Sequence, residues 1–370
     1  MIEKYADHNR NMEFLQVCRG LAAIAIVFYH SRSFATPGDA YEVALQGMDA
    51  GVDLFFVISG FVMVLATGNG KSGVKYAADF IIKRWSRVWP PYAVATLLFV
   101  SLATLFDNNF MTYPNRWSTL IKSLSFLPLN TEAAPPLGFP TLGVGWTLNY
   151  EIYFYAVFAL SLVCGKARWA VFFSCIAITL IAIPQIFSDS GYSLSSSHQY
   201  GFSFGYLNLM TSPLIWDFVV GVVIGLIYKS PVRVKNIYAL NIVTGLSVAL
   251  SVWLFAFNSF GDHGVYGKLP IISFMVLCLA LRQKEVNQTF PRLFTWLGDI
   301  SYSIYLVHTL IYAFLWVILQ QYGFSSISVG QRVGWLSMIL VIPASALFSH
   351  YIEFGLSNYV RDRLRALLPR

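Results

Sequence analysis

The stretch Cys18–Ser31, CRGLAAIAIVFYHS, is apolar throughout except for an arginine near its start and a histidine near its close. With its flanks it fills residues 12–32, and a helix needs about 20 apolar residues to cross the hydrocarbon core of a bilayer. Arg19 within it, and the lack of a small-residue cleavage site, set it apart from a cleaved signal peptide. Arg19 and His30 are eleven residues apart. At about 100° and about 1.5 Å per residue they share one helical face and lie about 16 Å apart along the axis. Singly, Arg19 reads as a snorkelling headgroup anchor and His30 as a backbone hydrogen-bonding group. Together on one face, with apolar residues between them, they read as two ends of one site.

Working outward, nine further segments of this kind follow, at about 51–67, 88–106, 143–164, 168–187, 208–228, 236–257, 268–282, 297–320 and 332–355. The composition of the 370 residues agrees: 56% are hydrophobic, and 12% are charged where soluble domains carry about 25%. Mean hydropathy is +0.60. These values exclude a soluble globule, a disordered chain and a disulfide-rich secreted fold. The unbroken apolar runs exclude a transmembrane barrel, whose strands alternate. The expected fold class is an all-α, polytopic integral membrane protein with about ten transmembrane helices, read as a single domain over 1–370. The four cysteines form no CxxC pair, and neither metal nor redox chemistry is expected.

A net charge of +7 would point a soluble chain toward nucleic acid. Here no nucleic-acid partner is expected, and the question is where the cations lie relative to the bilayer. With the N-terminus inside, 19 of the 25 Lys and Arg residues fall on inner segments and 5 on outer ones, with Arg19 inside the first span. Ten spans with both termini cytoplasmic follow from that bias. The longest outer connections, 107–142 and 189–207, read either as surface connectors or as covers for a polar acceptor.

An ionisable side chain inside a span is costly and marks function by default. In GVDLFFVISGF at 51–61, Asp53 lies near the outer surface, as a helix cap or a ligand-binding carboxylate. In RWSRVWPPY at 84–92, Arg84 and Arg87 share a face at the cytoplasmic edge, as topology anchors or as a phosphate clamp. In WTLNYEIYFY at 146–155, Glu151 lies at the depth of His30, and reads either as a packing bond to a tyrosine or asparagine or as a charge that orients a histidine. In LGDISYSIYLVH at 297–308, His308 joins Ser301 and Tyr305 on a polar face. His350 and Glu353 lie at i and i+3 near the inner end of the last span, while His8, His198 and His263 fall in terminal or loop regions and receive no role. By depth, Arg19, Arg84 and Arg87 form a cytoplasmic cationic layer, and His30, Asp53, Glu151 and His308 an outer acid–base layer. An elongated anion with phosphates at one end and a reactive thioester at the other, as in coenzyme A, fits that pattern.

These motifs, taken in order with YIEF at 351–354, resemble the acyltransferase 3 family of membrane-bound acyltransferases. The resemblance implies a multi-pass protein of the bacterial cytoplasmic membrane that moves an acyl group, usually acetyl, from cytoplasmic acetyl-CoA to a hydroxyl of an exported carbohydrate. The acceptor would be lipid-linked or polymeric, the wording is closest to members that decorate exopolysaccharide, and polysaccharide-assembly proteins are the further partners. Some members carry a C-terminal esterase-like domain, and none is expected here. IEFGLSN at 352–358 lacks the proline that often follows the glutamate. On this reading Arg19, Arg84 and Arg87 bind the cofactor phosphates. His30 is the catalytic base or takes the acyl group itself, and Glu151 orients it. Asp53 and His308 bind the acceptor or move protons, and no metal takes part. The rival reading is a transporter or flippase of a lipid-linked sugar, disfavoured because no internal repeat is seen.

Overall fold

The computed structural model describes residues 12–35, 38–68, 70–129, 138–257, 261–322 and 326–368. Among them there is no strand, and each of the ten expected segments carries a helix. These are α1 (Glu13–Ser31), α2 (Gly51–Ala66), α3 (Val74–Phe106) and α4 (Trp146–Val163). Next is α5, which runs over Arg168–Ala177 and passes through a π-helical turn, Ile178–Ala182, into Ile183–Phe187. Then come α6 (Ile215–Lys229), α7 (Ile237–Phe257), α8 (Leu269–Glu285), α9 (Ser301–Gln321) and α10 (Ser326–Phe348). A second π-helical turn, Ser349–Leu356, leads into a polar helix, α11 (Ser357–Ala366).

Seven helices among the described residues are long and apolar enough to cross a membrane. The other three expected segments are α4, α6 and α8, of 18, 15 and 17 residues. The first of these opens on Thr147, Asn149 and Glu151, which dilute its apolar character. Helix α3 starts well before the expected span at 88. Its 33 residues extend about 50 Å, against about 30 Å of hydrocarbon, so its first turns stand beyond the apolar part. Of the expected outer connection 107–142, residues 130–137 lie outside the described residues.

The chain forms two compact units, one of Met1–Gly68, Trp216–Ile304 and Ser326–Gly334, the other of Asn69–Ile215, Tyr305–Ser325 and Trp335–Arg370. In the first, Phe14, Ala22, Val57, Phe61, Ile272 and Val276 are among the residues of one apolar core. Glycine allows its helices to meet closely. A Cβ on Gly60 of α2 would sit 2.0 Å from the Phe218 carbonyl oxygen of α6, and one on Gly221 would sit 2.0 Å from that of Val57. Gly221 and Gly225 thus form the small-residue face on which membrane helices approach. Helix α7 is inside-out by soluble standards: Thr244, Ser247 and Ser251 are buried, while Ile242, Leu246 and Val252 are exposed. Those hydroxyls are satisfied by carbonyls of their own helix, and the exposed side is aliphatic, as suits a helix long and apolar enough to cross a membrane.

The second unit has an aromatic core. Phe80 of α3 stacks on Phe158 of α4 at 5.6 Å, and Phe158 meets Phe172 of α5 edge-on at 5.8 Å. Trp89 Nε1 donates to the Leu124 carbonyl at 2.9 Å, which ties α3 to the short helix Arg116–Leu124.

Candidate functional site

Arg19 and His30 lie on α1, which is uninterrupted between them, so the shared face and axial separation read from the sequence hold. Both are partly buried. The His30 ring meets that of Tyr29 edge-on at 5.3 Å.

Asp53 is fully buried in the first turn of α2, in the same unit. Its carboxylate is held by a loop that the sequence left without a role. His263 Nδ1 lies 2.6 Å from Oδ2, and the Gly264 amide donates to Oδ1 at 2.8 Å. Behind it, Lys268, also buried, donates to Asp49 at 2.6 Å, and His263 Nε2 is 3.7 Å from the same carboxylate. A second fully buried carboxyl, Asp217 of α6, lies beside Asp53. Burial works to lower the pKa of His263, but the Asp53 carboxylate, with Asp49 behind it, outweighs burial and raises it above 6.5. The sequence names Asp53 and misses His263 and Lys268, because a loop residue 210 positions away carries no local signal of the carboxylate it meets.

Arg84, Arg87, Glu151 and His308 belong to the second unit. The Arg84 guanidinium lies over the Phe80 ring at 5.6 Å and the Tyr155 ring at 5.9 Å. The Tyr155 hydroxyl donates to the Glu151 carboxylate one turn back on α4. Of the two readings of Glu151, the packing bond to a tyrosine is seen. Arg84 and Glu151, read from the sequence as members of separate layers, therefore meet at one buried side chain, Tyr155, which sequence reasoning missed although it ends the quoted motif. Its signal was present: a tyrosine at i+4 from a membrane carboxylate is within hydrogen-bond reach.

His308 is fully buried on α9, its ring 6.1 Å from that of Tyr305 and 5.8 Å from that of Tyr312. Tyr305 donates to the Val144 carbonyl at 2.6 Å and lies 2.7 Å from Thr147 Oγ1 at the start of α4. Tyr305 is also within electrostatic range of Glu151. In this unit the structure thus brings Arg84, Tyr155 and Glu151 together, with the rings of Tyr305 and His308 6.1 Å apart on α9. The first three can hold an anion at the guanidinium and orient a hydroxyl beside the carboxylate. Glu353 is buried and accepts from Ser349 at 3.3 Å in the π-helical turn. His350 is exposed there.

The family described as Acyltransferase domain matches residues 12–353 and so spans every candidate residue described above in the two units. The exopolysaccharide production protein ExoZ of Rhizobium meliloti (strain 1021) is 31% identical over 274 residues, 70% of this chain and 75% of that protein. The putative O-acetyltransferase SAS0844 of Staphylococcus aureus (strain MSSA476) is 24% identical over 336 residues, 83% of this chain and 51% of that protein. The putative peptidoglycan O-acetyltransferase YrhL of Bacillus subtilis (strain 168) is 22% identical over 335 residues, 82% of this chain and 49% of that protein. The matches therefore span about half the length of these O-acetyltransferases. No solved structure matches the chain.

Proposed function

The chain belongs to the Acyltransferase domain family, and from that premise we propose that it is a multi-pass O-acyltransferase of the bacterial cytoplasmic membrane. It moves acetyl from cytoplasmic acetyl-CoA to a hydroxyl of an exported carbohydrate. The names of its relatives, one in exopolysaccharide production and others O-acetyltransferases, support this acceptor and this group. The 19-to-5 bias of basic residues supports ten spans with both ends in the cytoplasm, which gives the donor its side of entry.

The observation that carries the reading is the contact line from Arg84 through Tyr155 to Glu151. It joins a guanidinium suited to phosphate with a carboxylate suited to acid–base work, through one buried phenol. In the reaction, Arg84 and Arg87 hold the donor's phosphates. The acceptor hydroxyl oxygen bonds the thioester carbonyl carbon, the C–S bond breaks, and the thiol leaves. His30 removes the hydroxyl proton and passes it to the departing sulfur; if the acyl group passes through the imidazole instead, that nitrogen displaces the thiol and the acceptor oxygen then displaces the imidazole. His308 and Asp53 serve the acceptor side.

The test is thiol release from acetyl-CoA by the purified full-length protein in detergent, with and without candidate polysaccharides, alongside mass spectrometry of the polysaccharide made by cells with and without the chain. Acceptor-dependent thiol release and an acetylated polymer are expected. His30→Gln keeps much of the side chain's shape but no base, and should abolish transfer while the protein stays folded. A wild-type acetylation rate in that variant would make the histidine structural.

A further inference from the structure

The seam between α2 and α6 holds a buried carboxyl, Asp217, that the reaction above does not use. The two helices meet on glycine. Gly221 lies against the Val57 carbonyl and Gly225 against that of Phe61, where a Cβ would stand 3.2 Å from the oxygen. The Phe56 ring stacks on that of Phe218 at 4.3 Å. The glycine contacts advance four residues at a time on both helices, and one turn earlier the same register pairs Asp53 with Asp217. The two carboxyls accordingly lie within hydrogen-bond reach of each other.

Neither Asp217 oxygen has a donor among the described residues, and a buried carboxylate without one is costly. Asp53 is the opposite case. His263 Nδ1 lies against its Oδ2, and the Gly264 amide donates to Oδ1. Asp53 is therefore the acceptor of the pair, and the proton between the two carboxyls belongs to Asp217. Charge gives the same answer. Asp49, Asp53 and Asp217 share two cations, Lys268 and an imidazolium at His263. Fully ionised, this chain of side chains would bury one surplus negative charge. A proton on Asp217 makes it neutral.

We propose that Asp217 is a positioning residue that stays protonated: it donates to Asp53, fixes the rotation of that carboxylate, and through it holds His263 and its loop over the first turn of α2. Asp53 has both oxygens taken and no exposed surface, whereas the His263 side chain is 25% exposed. The imidazole is then the group of this cluster that meets the acceptor, a step that rests on the acceptor reading above.

The test compares full-length wild type, Asp217→Asn and Asp217→Leu in detergent. Asparagine keeps a neutral donor toward Asp53, and leucine keeps the size without the donor. At neutral pH the infrared carbonyl band of a protonated carboxylic acid should weaken in both variants. Carbethoxylation of His263, followed by mass spectrometry, should run at the wild-type rate in Asp217→Asn and faster in Asp217→Leu, toward the rate of Asp53→Asn. In thiol release with polysaccharide from cells that lack the chain, the leucine variant should raise KM for the polysaccharide about tenfold, as expected for one hydrogen bond to a charged group. Asparagine should restore it to within about twofold of wild type, and KM for acetyl-CoA should not move. An undiminished band in both variants would mean that Asp217 is ionised and overturns the proposal. So does a wild-type His263 rate in the leucine variant, or an asparagine variant as impaired as leucine, which would make proton exchange and not a fixed donor its role. The band and the asparagine variant still decide if the leucine variant does not fold. Wild-type protein that releases no thiol with the polysaccharide would remove the acceptor reading alone, since the band and the His263 rates need no activity.

Discussion

Tyr155 serves two neighbours at once, and substitution separates them. Tyr155→Phe keeps the ring beneath Arg84 but removes the hydroxyl on Glu151. A hydrogen bond to a charged group is worth about 1.5–3 kcal/mol, so kcat should fall at least about tenfold while KM for acetyl-CoA stays within about twofold. Tyr155→Leu should raise KM as well. A change in KM alone for the phenylalanine variant would count against a role for the bond in the chemical step. His263 makes a different prediction. Its raised folded pKa means that its ionic contribution is fully present below about pH 6.5 and is lost as pH rises through the folded value. The groups that set this are Asp53 and Asp49, which favour the imidazolium, and Lys268, which opposes it. The thermal midpoint of the detergent-solubilised protein should fall across that window, and His263→Gln should flatten the fall. A wild-type profile in the variant would make the pairing with Asp53 irrelevant to stability. The seven ionisable residues named from the sequence stood out because a charge in an apolar run is conspicuous, whereas His263, Lys268 and Tyr155 did not. Their partners were not, because a partner is chosen by packing rather than by proximity in the chain.

At the scale of elements, the α2–α6 contact rests on absent side chains. In Gly60→Ala the new methyl meets the Phe218 carbonyl, a backbone atom that cannot swing aside. Overpacking of this kind costs about 1–3 kcal/mol, so the thermal midpoint should drop. Gly245→Ala on the exposed side of α7 has nothing within 4 Å and should be neutral or slightly stabilising, as alanine is the better helix former. Equal midpoints for the two variants would show that the helices can separate without cost. Every apolar segment was readable as helix because twenty such residues leave the backbone no other way to satisfy itself in lipid. The early start of α3 at Val74 was not readable, nor was the return of α11 along it, since polar turns carry no transfer signal. The Asp79 ion pairs and the Phe80 stack hold them instead.

For the whole molecule, the charge bias predicts that reporter fusions after Arg370 and after Ser230 read as cytoplasmic, while one within 189–207 does not. A cytoplasmic signal from 189–207 would remove the ten-span topology and the donor's side of entry with it. Composition and spacing were enough for the membrane class, the helical segments, the inside–outside bias and the position of Arg19 and His30 on one helical face. Each of these depends on side-chain transfer free energy or on rise per residue, which are properties of a local segment. It took the packed chain to show that His263 closes over Asp53 from 210 residues away, that Tyr155 links Arg84 to Glu151, and that Arg365 returns to Asp79 across 286 residues. The polar group that meets a buried charge is set by where helices approach, and that approach follows glycine contacts and aromatic shape, which spacing along the chain does not encode.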